Sequence, residues 1–270
     1  MSIDPVLIAE LLALGCVGGF LAGLLGIGGG MLLVPALTFI GGAQGFAADY
    51  VVKMAVATSL ATILFTSLSS VRAHHKRGAV RWDVVKLLAP GVVAGSLLGA
   101  QIARLLSTKT LALVFAVFVT YSALQMFIDK KPKPSRQLPQ GAGMFGAGSL
   151  IGTLSALVGA GGGFISVPFM AWCNVSIHTA VATSAALGFP IALAGTMGYI
   201  VAGWKLQTAP GGSFGYLYLP ALVLIAATSV LFAPVGARAA HRLNVRQLKR
   251  AFAGLLFVLA AYMASRGLAA

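Results

Sequence analysis

Long apolar segments separated by short polar loops recur along the whole chain. Ten such segments are delimited by glycine, proline and charged residues: 6–25, 31–40, 52–71, 84–106, 111–128, 142–158, 164–173, 179–202, 216–240 and 251–265. An apolar helix needs about 20 residues to cross a bilayer, whereas a run of about 10 residues reaches only halfway. The pattern therefore predicts an all-α polytopic membrane protein with about 8–10 membrane segments, of which 31–40 and 164–173 are half-helices.

Three sequence motifs occur twice, and in the same order. Residues 23–37 resemble 156–170, the pentapeptide AVATS occurs at 55–59 and 180–184, and residues 99–115 resemble 236–252. Ordered matches of this kind indicate an internal duplication. We therefore predict a first transmembrane repeat over 1–128, a basic cytoplasmic linker over 129–140 and a second transmembrane repeat over 141–270.

The positive charges lie in short runs between the apolar segments. The chain has 19 Lys and Arg against five Asp and Glu, but this placement is typical of cytoplasmic loops and argues against nucleic-acid binding. Loop 72–86 carries five positive charges, and its counterpart 203–215 carries one. Loop 104–109 carries two, and its counterpart 238–250 carries five. The two halves thus have opposite charge bias, which predicts inverted-topology repeats, a feature of alternating-access transporters.

A glycine cluster precedes each of the two short apolar runs. The candidate substrate-binding glycines are Gly28, Gly29 and Gly30 in the first half and Gly161, Gly162 and Gly163 in the second. Adjacent glycines break a membrane helix, and irregular backbone at membrane depth occurs where it is buried or lines a cavity. The short helix that begins after each glycine cluster would present free N–H groups at its N-terminus, and such groups suit an anion. The alternative is that the glycines only permit close helix packing, as the spacing Gly15, Gly19, Gly23 also suggests. A dinucleotide-binding loop is excluded because Met31 replaces the last glycine of that pattern.

Polar side chains in and near the AVATS motifs are further candidates for substrate binding. The hydroxyl groups are those of Thr58, Ser59, Thr183 and Ser184. They could donate hydrogen bonds to an oxyanion, one pair from each half, or bond only to their own helix. Lys53 and His178 each lie five residues before the threonine of the motif. They could assist anion capture at the mouth of the pathway or be end residues that reach the membrane surface.

The sequence also bears on two other functional classes, intramembrane enzymes and metal-cation permeases. An intramembrane enzyme would need a Ser–His pair or paired carboxylates, and no such pattern is visible around His178. A metal-cation permease would need acids or His/Met/Cys clusters, whereas the chain has five acids and the cysteines Cys16 and Cys173, each in an apolar run. We predict neither an enzyme nor a cofactor or metal site, and permeases for other small anions or a metal cation remain alternatives.

The paired motifs GIGGGMLLVP and GAGGGFISVP, each followed by AVATS, resemble the sulfite exporter TauE/SafE family. The likeness covers both halves, the basic linker and the stretch GARAAHRL. It implies a multi-pass permease of the cell membrane that exports sulfite or organosulfonates. It places the family motif on Gly28 to Gly30 with Pro35, on Gly161 to Gly163 with Pro168, and on both AVATS segments. The implied partners are a small sulfur-containing anion and the lipid bilayer, and a homo-oligomer is left open.

The composition also indicates which energy source could drive transport. Apart from Glu10, near the start of the first segment, no acid lies deep in an apolar run, and no P-loop is present. An inside-negative potential of 100 mV favours outward anion movement by about 2.3 kcal/mol per charge. We therefore expect electrogenic export at a midplane site, by facilitated diffusion or with loose proton coupling through His178.

Overall fold

The computed structural model describes residues 5–25, 29–128, 135–206, 209–240 and 245–269. These residues form ten α-helices and one two-stranded hairpin. The helices are α1 (Pro5–Leu25), α2 (Gly30–Ala43), α3 (Val51–Lys76), α4 (Trp82–Leu105), α5 (Thr108–Ile128), α6 (Ala142–Val158), α7 (Gly163–Trp172), α8 (Ile177–Ala202), α9 (Leu219–Ala240) and α10 (Val245–Leu268). The strands are β1 (Ser213–Phe214) and β2 (Leu217–Tyr218).

The prediction of an all-α polytopic membrane protein is confirmed. Seven of the described helices are long and apolar enough to cross a membrane, and α2, α6 and α7 are shorter apolar helices. Large apolar side chains remain exposed on the outer helices, among them Val117, Leu231 and Val258 at 72%, 69% and 67% exposure. Exposure on this scale suits lipid rather than water as the surrounding solvent.

Each of the ten predicted segments corresponds to one helix, although α3 ends five residues later and α10 begins six residues earlier than predicted. We expected a helix to begin at residue 216, but β1 and β2 pair there as an antiparallel hairpin. Gly212 and Gly215 have φ angles of +85° and +60°, which glycine adopts without steric cost. The chain therefore turns twice before α9 begins at Leu219.

Helices α3 and α8 form the centre of the bundle. In their most apolar stretches 78% and 61% of residues are buried, compared with 28% for both α1 and α9. Gly195 faces Leu60 and Gly188 faces Ser67, so α3 and α8 run antiparallel. The outer pair α5 and α10 is also antiparallel, because Gly267 contacts Leu113 while the Arg250 guanidinium lies over the Phe127 ring.

Two other helix pairs join the halves through rows of glycine. Gly15, Gly19 and Gly23 of α1 lie directly against the backbone of α9, and Gly91, Gly95 and Gly99 of α4 lie against α6. A Cβ at Gly95 would lie 2.0 Å from Ser149 O, which is far inside contact distance. The packing role of these glycine rows is therefore confirmed. When the helices of the two halves are matched in order, α1 corresponds to α6 and α4 corresponds to α9. The α1–α9 and α4–α6 pairs therefore occupy corresponding positions, and both are packed through glycine.

Candidate functional site

The two half-helices begin near mid-height of the central helices and run towards opposite ends of the bundle. Helix α2 is antiparallel to α3, because Gly30 lies beside Ser59 and Gly41 lies against Val51. Helix α7 is antiparallel to α8, because Gly162 lies against Ile191 and Ser166 Oγ lies 2.7 Å from Ser184 Oγ. Since α3 and α8 themselves run in opposite directions, α2 and α7 diverge from a common central region.

The glycine segments of the two halves meet in that region. A Cβ added to Gly30 would lie 2.4 Å from Gly159 O and 3.1 Å from Ala160 Cα, both backbone atoms. Ser59 Oγ donates a hydrogen bond of 2.9 Å to Gly159 O and lies 3.4 Å from Gly30 O. Ile63 lies between the two segments, with its side chain 3.1 Å from a Cβ at Gly30 and 3.5 Å from one at Gly161. Part of each predicted cluster therefore contributes to one central region.

Backbone conformation explains why the chain breaks between α6 and α7. Gly159 ends α6 with φ +67°, and Gly162 precedes α7 with φ +77°. Both angles lie in the left-handed region that side-chain-bearing residues rarely adopt. Gly163 then begins α7, whose first N–H groups have no partner within the helix. In the first half Gly29 O accepts from the amides of Leu32 and Leu33, both at 3.1 Å, and Gly28 lies outside the described residues.

The threonines of the AVATS motifs bind loops of the opposite half. Thr58 Oγ1 accepts a hydrogen bond from the Tyr218 amide, and Thr183 Oγ1 accepts one from the Arg81 amide, each at 3.1 Å. Tyr218 directly precedes α9 and Arg81 directly precedes α4. The two bonds are therefore equivalent under exchange of the halves, and each anchors the start of a long helix.

The threonines of the two AVATS motifs lie far apart. The contacts of α3 with α8 put Thr58 level with Met197 and Thr183 level with Arg72, a separation of about 20 Å along the helix axes. Ser59 reaches the central region directly. Ser184 reaches it through Ser166, whose hydroxyl group donates to Gly162 O at 2.9 Å. Ser59 thus contacts the glycine segments itself, whereas Ser184 is linked to them through Ser166.

Lys53 and His178 lie at opposite ends of the bundle. Lys53 is buried, with 7% of its surface exposed, and its Nζ donates to Arg104 O at 3.1 Å. That carbonyl group belongs to the last turn of α4, where carbonyl groups lack helical partners. The Tyr216 ring lies 5.9 Å from Nζ, and burial raises the pKa of this phenol. His178 is exposed near the start of α8.

Sequence reasoning missed two residues of the central region. Ile63 separates Gly30 from Gly161, and Ser155 places its Oγ 3.1 Å from a Cβ at Gly162. Ser155 lies four residues before Gly159 in the sequence, so a helical projection of α6 could have pointed to it. Among the described residues, no group of three or more His, Cys, Asp or Glu side chains is placed to hold a metal ion.

Comparison with known proteins identifies the family of this chain. The family model for the sulfite exporter TauE/SafE matches residues 11–263. The chain belongs to this family. The matched range includes most of both halves, the linker between them and the central region.

Individual relatives of this chain are named as probable membrane transporter proteins. A probable membrane transporter protein of Haemophilus influenzae is 36% identical over 254 residues, which span 93% of this chain and 96% of the relative. The probable membrane transporter protein YunE of Bacillus subtilis is 28% identical over 76% of this chain and 84% of its own length. A third, from Methanocaldococcus jannaschii, is 26% identical over 96% of both chains. No solved structure matches the chain significantly.

Proposed function

We propose that this membrane transporter exports a small sulfur-containing anion, such as sulfite or an organosulfonate, by alternating access at a midplane site. The observation that carries the proposal is the meeting of the two glycine segments, where Gly30 and Gly159 are in backbone contact. Both half-helices begin at that point, so both direct their N-terminal ends towards it.

Helix N-termini attract anions without carrying a full charge. Each has a partial positive charge of about +0.5, together with N–H groups that have no partner in the helix. Two such ends bind an oxyanion by hydrogen bonding and by their dipoles. A neutral donor set of this kind releases its ligand more readily than a buried arginine would, as transport requires.

Inverted orientation of the two halves would provide the alternating access. Equivalent helices run antiparallel in both the α3–α8 pair and the α5–α10 pair, as a two-fold axis parallel to the membrane would require. The opposite charge bias of corresponding loops supports the same arrangement. Under this proposal the halves exchange conformations around the central region, which opens first to the cytoplasm and then to the outside.

Loop labelling tests the inverted topology in the cell membrane. Arg77, in the loop after α3, and Trp204, in the loop after α8, are both exposed. In a background in which Cys16 and Cys173 are serine, we expect Trp204→Cys to react with an impermeant maleimide on intact cells. Arg77→Cys should react only after permeabilisation. Labelling of both positions from the same side would refute the inverted arrangement.

Efflux from proteoliposomes tests the substrate class. Vesicles loaded separately with sulfite, sulfoacetate, sulfate or chloride would be followed at fixed pH. We expect the sulfur-containing anions of the sulfite and sulfonate class to leave faster than chloride, and protein-free vesicles to retain all four. Absence of efflux for every sulfur anion, with correctly folded protein, would refute the assigned substrate class.

A further inference from the structure

Ser155 of α6 carries a buried hydroxyl group that the fold leaves without a partner. The residue is 1% exposed, and its Oγ has no hydrogen-bond partner among the described residues. Helical serines commonly donate to the carbonyl group four residues earlier, as Ser122 does to Phe118 O at 2.9 Å. An unpaired buried hydroxyl group is costly, so its retention calls for an explanation.

The hydroxyl group points at the turn that begins α7. A Cβ built on Gly162 would lie 3.1 Å from Ser155 Oγ, so this oxygen adjoins the left-handed glycine at the helix N-terminus. The first N–H groups of α7, those of Gly163 and Phe164, follow directly. The Ser155 hydroxyl group and the first two N–H groups of α7 thus belong to adjoining helix ends, and together they offer three neutral donors for the oxygens of a sulfonate group.

The surroundings of this turn are apolar. Ile191 Cδ1 and Ile151 Cγ2 lie 2.5 Å and 3.4 Å from the Cβ position of Gly162, and Ile63 faces Gly161. Charged side chains on the two central helices lie far along the axis. Lys53 and Arg72 are about 14 Å from Ile63 along α3, and His178 is about 20 Å from Ile191 along α8.

We propose that Ser155 and the Gly161–Gly163 turn bind the oxyanion end of a monoanion, such as a sulfonate or hydrogensulfite, in preference to a dianion. Desolvation costs rise with the square of the ligand charge, whereas attraction to fixed neutral donors rises only in proportion to it. A second charge is therefore poorly compensated in an apolar site where the charged side chains of the two central helices lie about 14 Å or more along the axis. The inference rests on the proposed function and narrows its substrate class.

Ligand binding to the purified full-length protein tests this specificity. The probes are methanesulfonate, a monoanion at all working pH values, and sulfate, a dianion, both titrated calorimetrically. We expect wild-type protein to bind methanesulfonate at least about 10-fold more tightly than sulfate. Ser155→Ala should weaken methanesulfonate binding by roughly 10- to 100-fold, the usual effect of losing one hydrogen bond to a charged group.

A second serine provides the matched control. Ser122 of α5 is also 1% exposed, but its hydroxyl group bonds to its own helix. Ser122→Ala should leave methanesulfonate affinity unchanged. Without ligand, Ser155→Ala should unfold at the same temperature as wild type or higher, because it removes an unpaired buried group.

Three results would overturn the inference, and each would refute a different part of it. Equal methanesulfonate affinity in wild type and Ser155→Ala would exclude Ser155 from the site. Sulfate binding as tight as methanesulfonate binding would refute selection of a monoanion. Failure of folded wild-type protein to bind either probe would remove the sulfur-anion class itself, and the proposed function with it.

Discussion

Replacing Gly30 by alanine should force the two halves apart where they meet. The added Cβ would lie 2.4 Å from Gly159 O, whereas carbon and oxygen atoms approach to about 3.3 Å at closest. The two backbone segments must therefore separate by about 1 Å, because Gly159 O is a backbone atom and cannot rotate away as the end of a flexible side chain can. Overpacking of this kind costs typically about 1–3 kcal/mol, so we expect Gly30→Ala to lower the free energy of unfolding by that amount.

The assay is reversible unfolding in mixed detergent micelles with increasing dodecyl sulfate, followed by tryptophan fluorescence. Gly146→Ala is the control, because Gly146 lies inside α6 and a Cβ there would meet nothing within 4 Å. This control should be neutral or stabilising by up to about 1 kcal/mol, since alanine is the better helix former. Equal stability of the two variants would refute the close contact of the glycine segments.

Three further substitutions test the contacts between the halves. Ser59→Ala removes the 2.9 Å hydrogen bond to Gly159 O, so we expect a loss of about 1 kcal/mol in the same unfolding assay. Thr183→Val removes the acceptor of the Arg81 amide, so hydrogen exchange at that amide should rise about 5-fold while exchange at Tyr218 stays unchanged. Thr58→Val should have the converse effect, because Thr58 holds the Tyr218 amide. A rise at both amides in either variant would show that these contacts are not local anchors.

Much of the fold followed from local sequence. Apolar length located the helices, because a membrane helix satisfies its own backbone hydrogen bonds and has to cover the bilayer thickness. The glycine clusters marked the starts of α2 and α7, and at α7 the reason is that Gly159 and Gly162 occupy left-handed conformations that glycine favours. The hairpin before α9 escaped prediction because its strands have only two residues each and pair only with one another.

The arrangement of polar groups depends on contacts between distant parts of the chain. Thr58 and Tyr218 are 160 residues apart, and Thr183 and Arg81 are 102 apart. A motif shows that such hydroxyl groups exist but gives no information about their partners. The motifs likewise gave no sign that antiparallel packing of α3 and α8 places Thr58 and Thr183 far apart. Ser155 was overlooked because its significance lies in a missing hydrogen bond, which sequence alone does not reveal.

The central claim is that a sulfur-containing anion crosses the membrane through the region where the half-helices meet. The most direct measurement is efflux of methanesulfonate from proteoliposomes under an imposed inside-negative potential, comparing wild type with Gly161→Val. A Cβ at Gly161 meets only Ile63, at 3.5 Å, so the variant should fold while its side chain fills the central region. We expect wild-type efflux to rise with the potential and efflux through folded Gly161→Val to fall to the level of protein-free vesicles. Wild-type efflux through that variant would contradict the account.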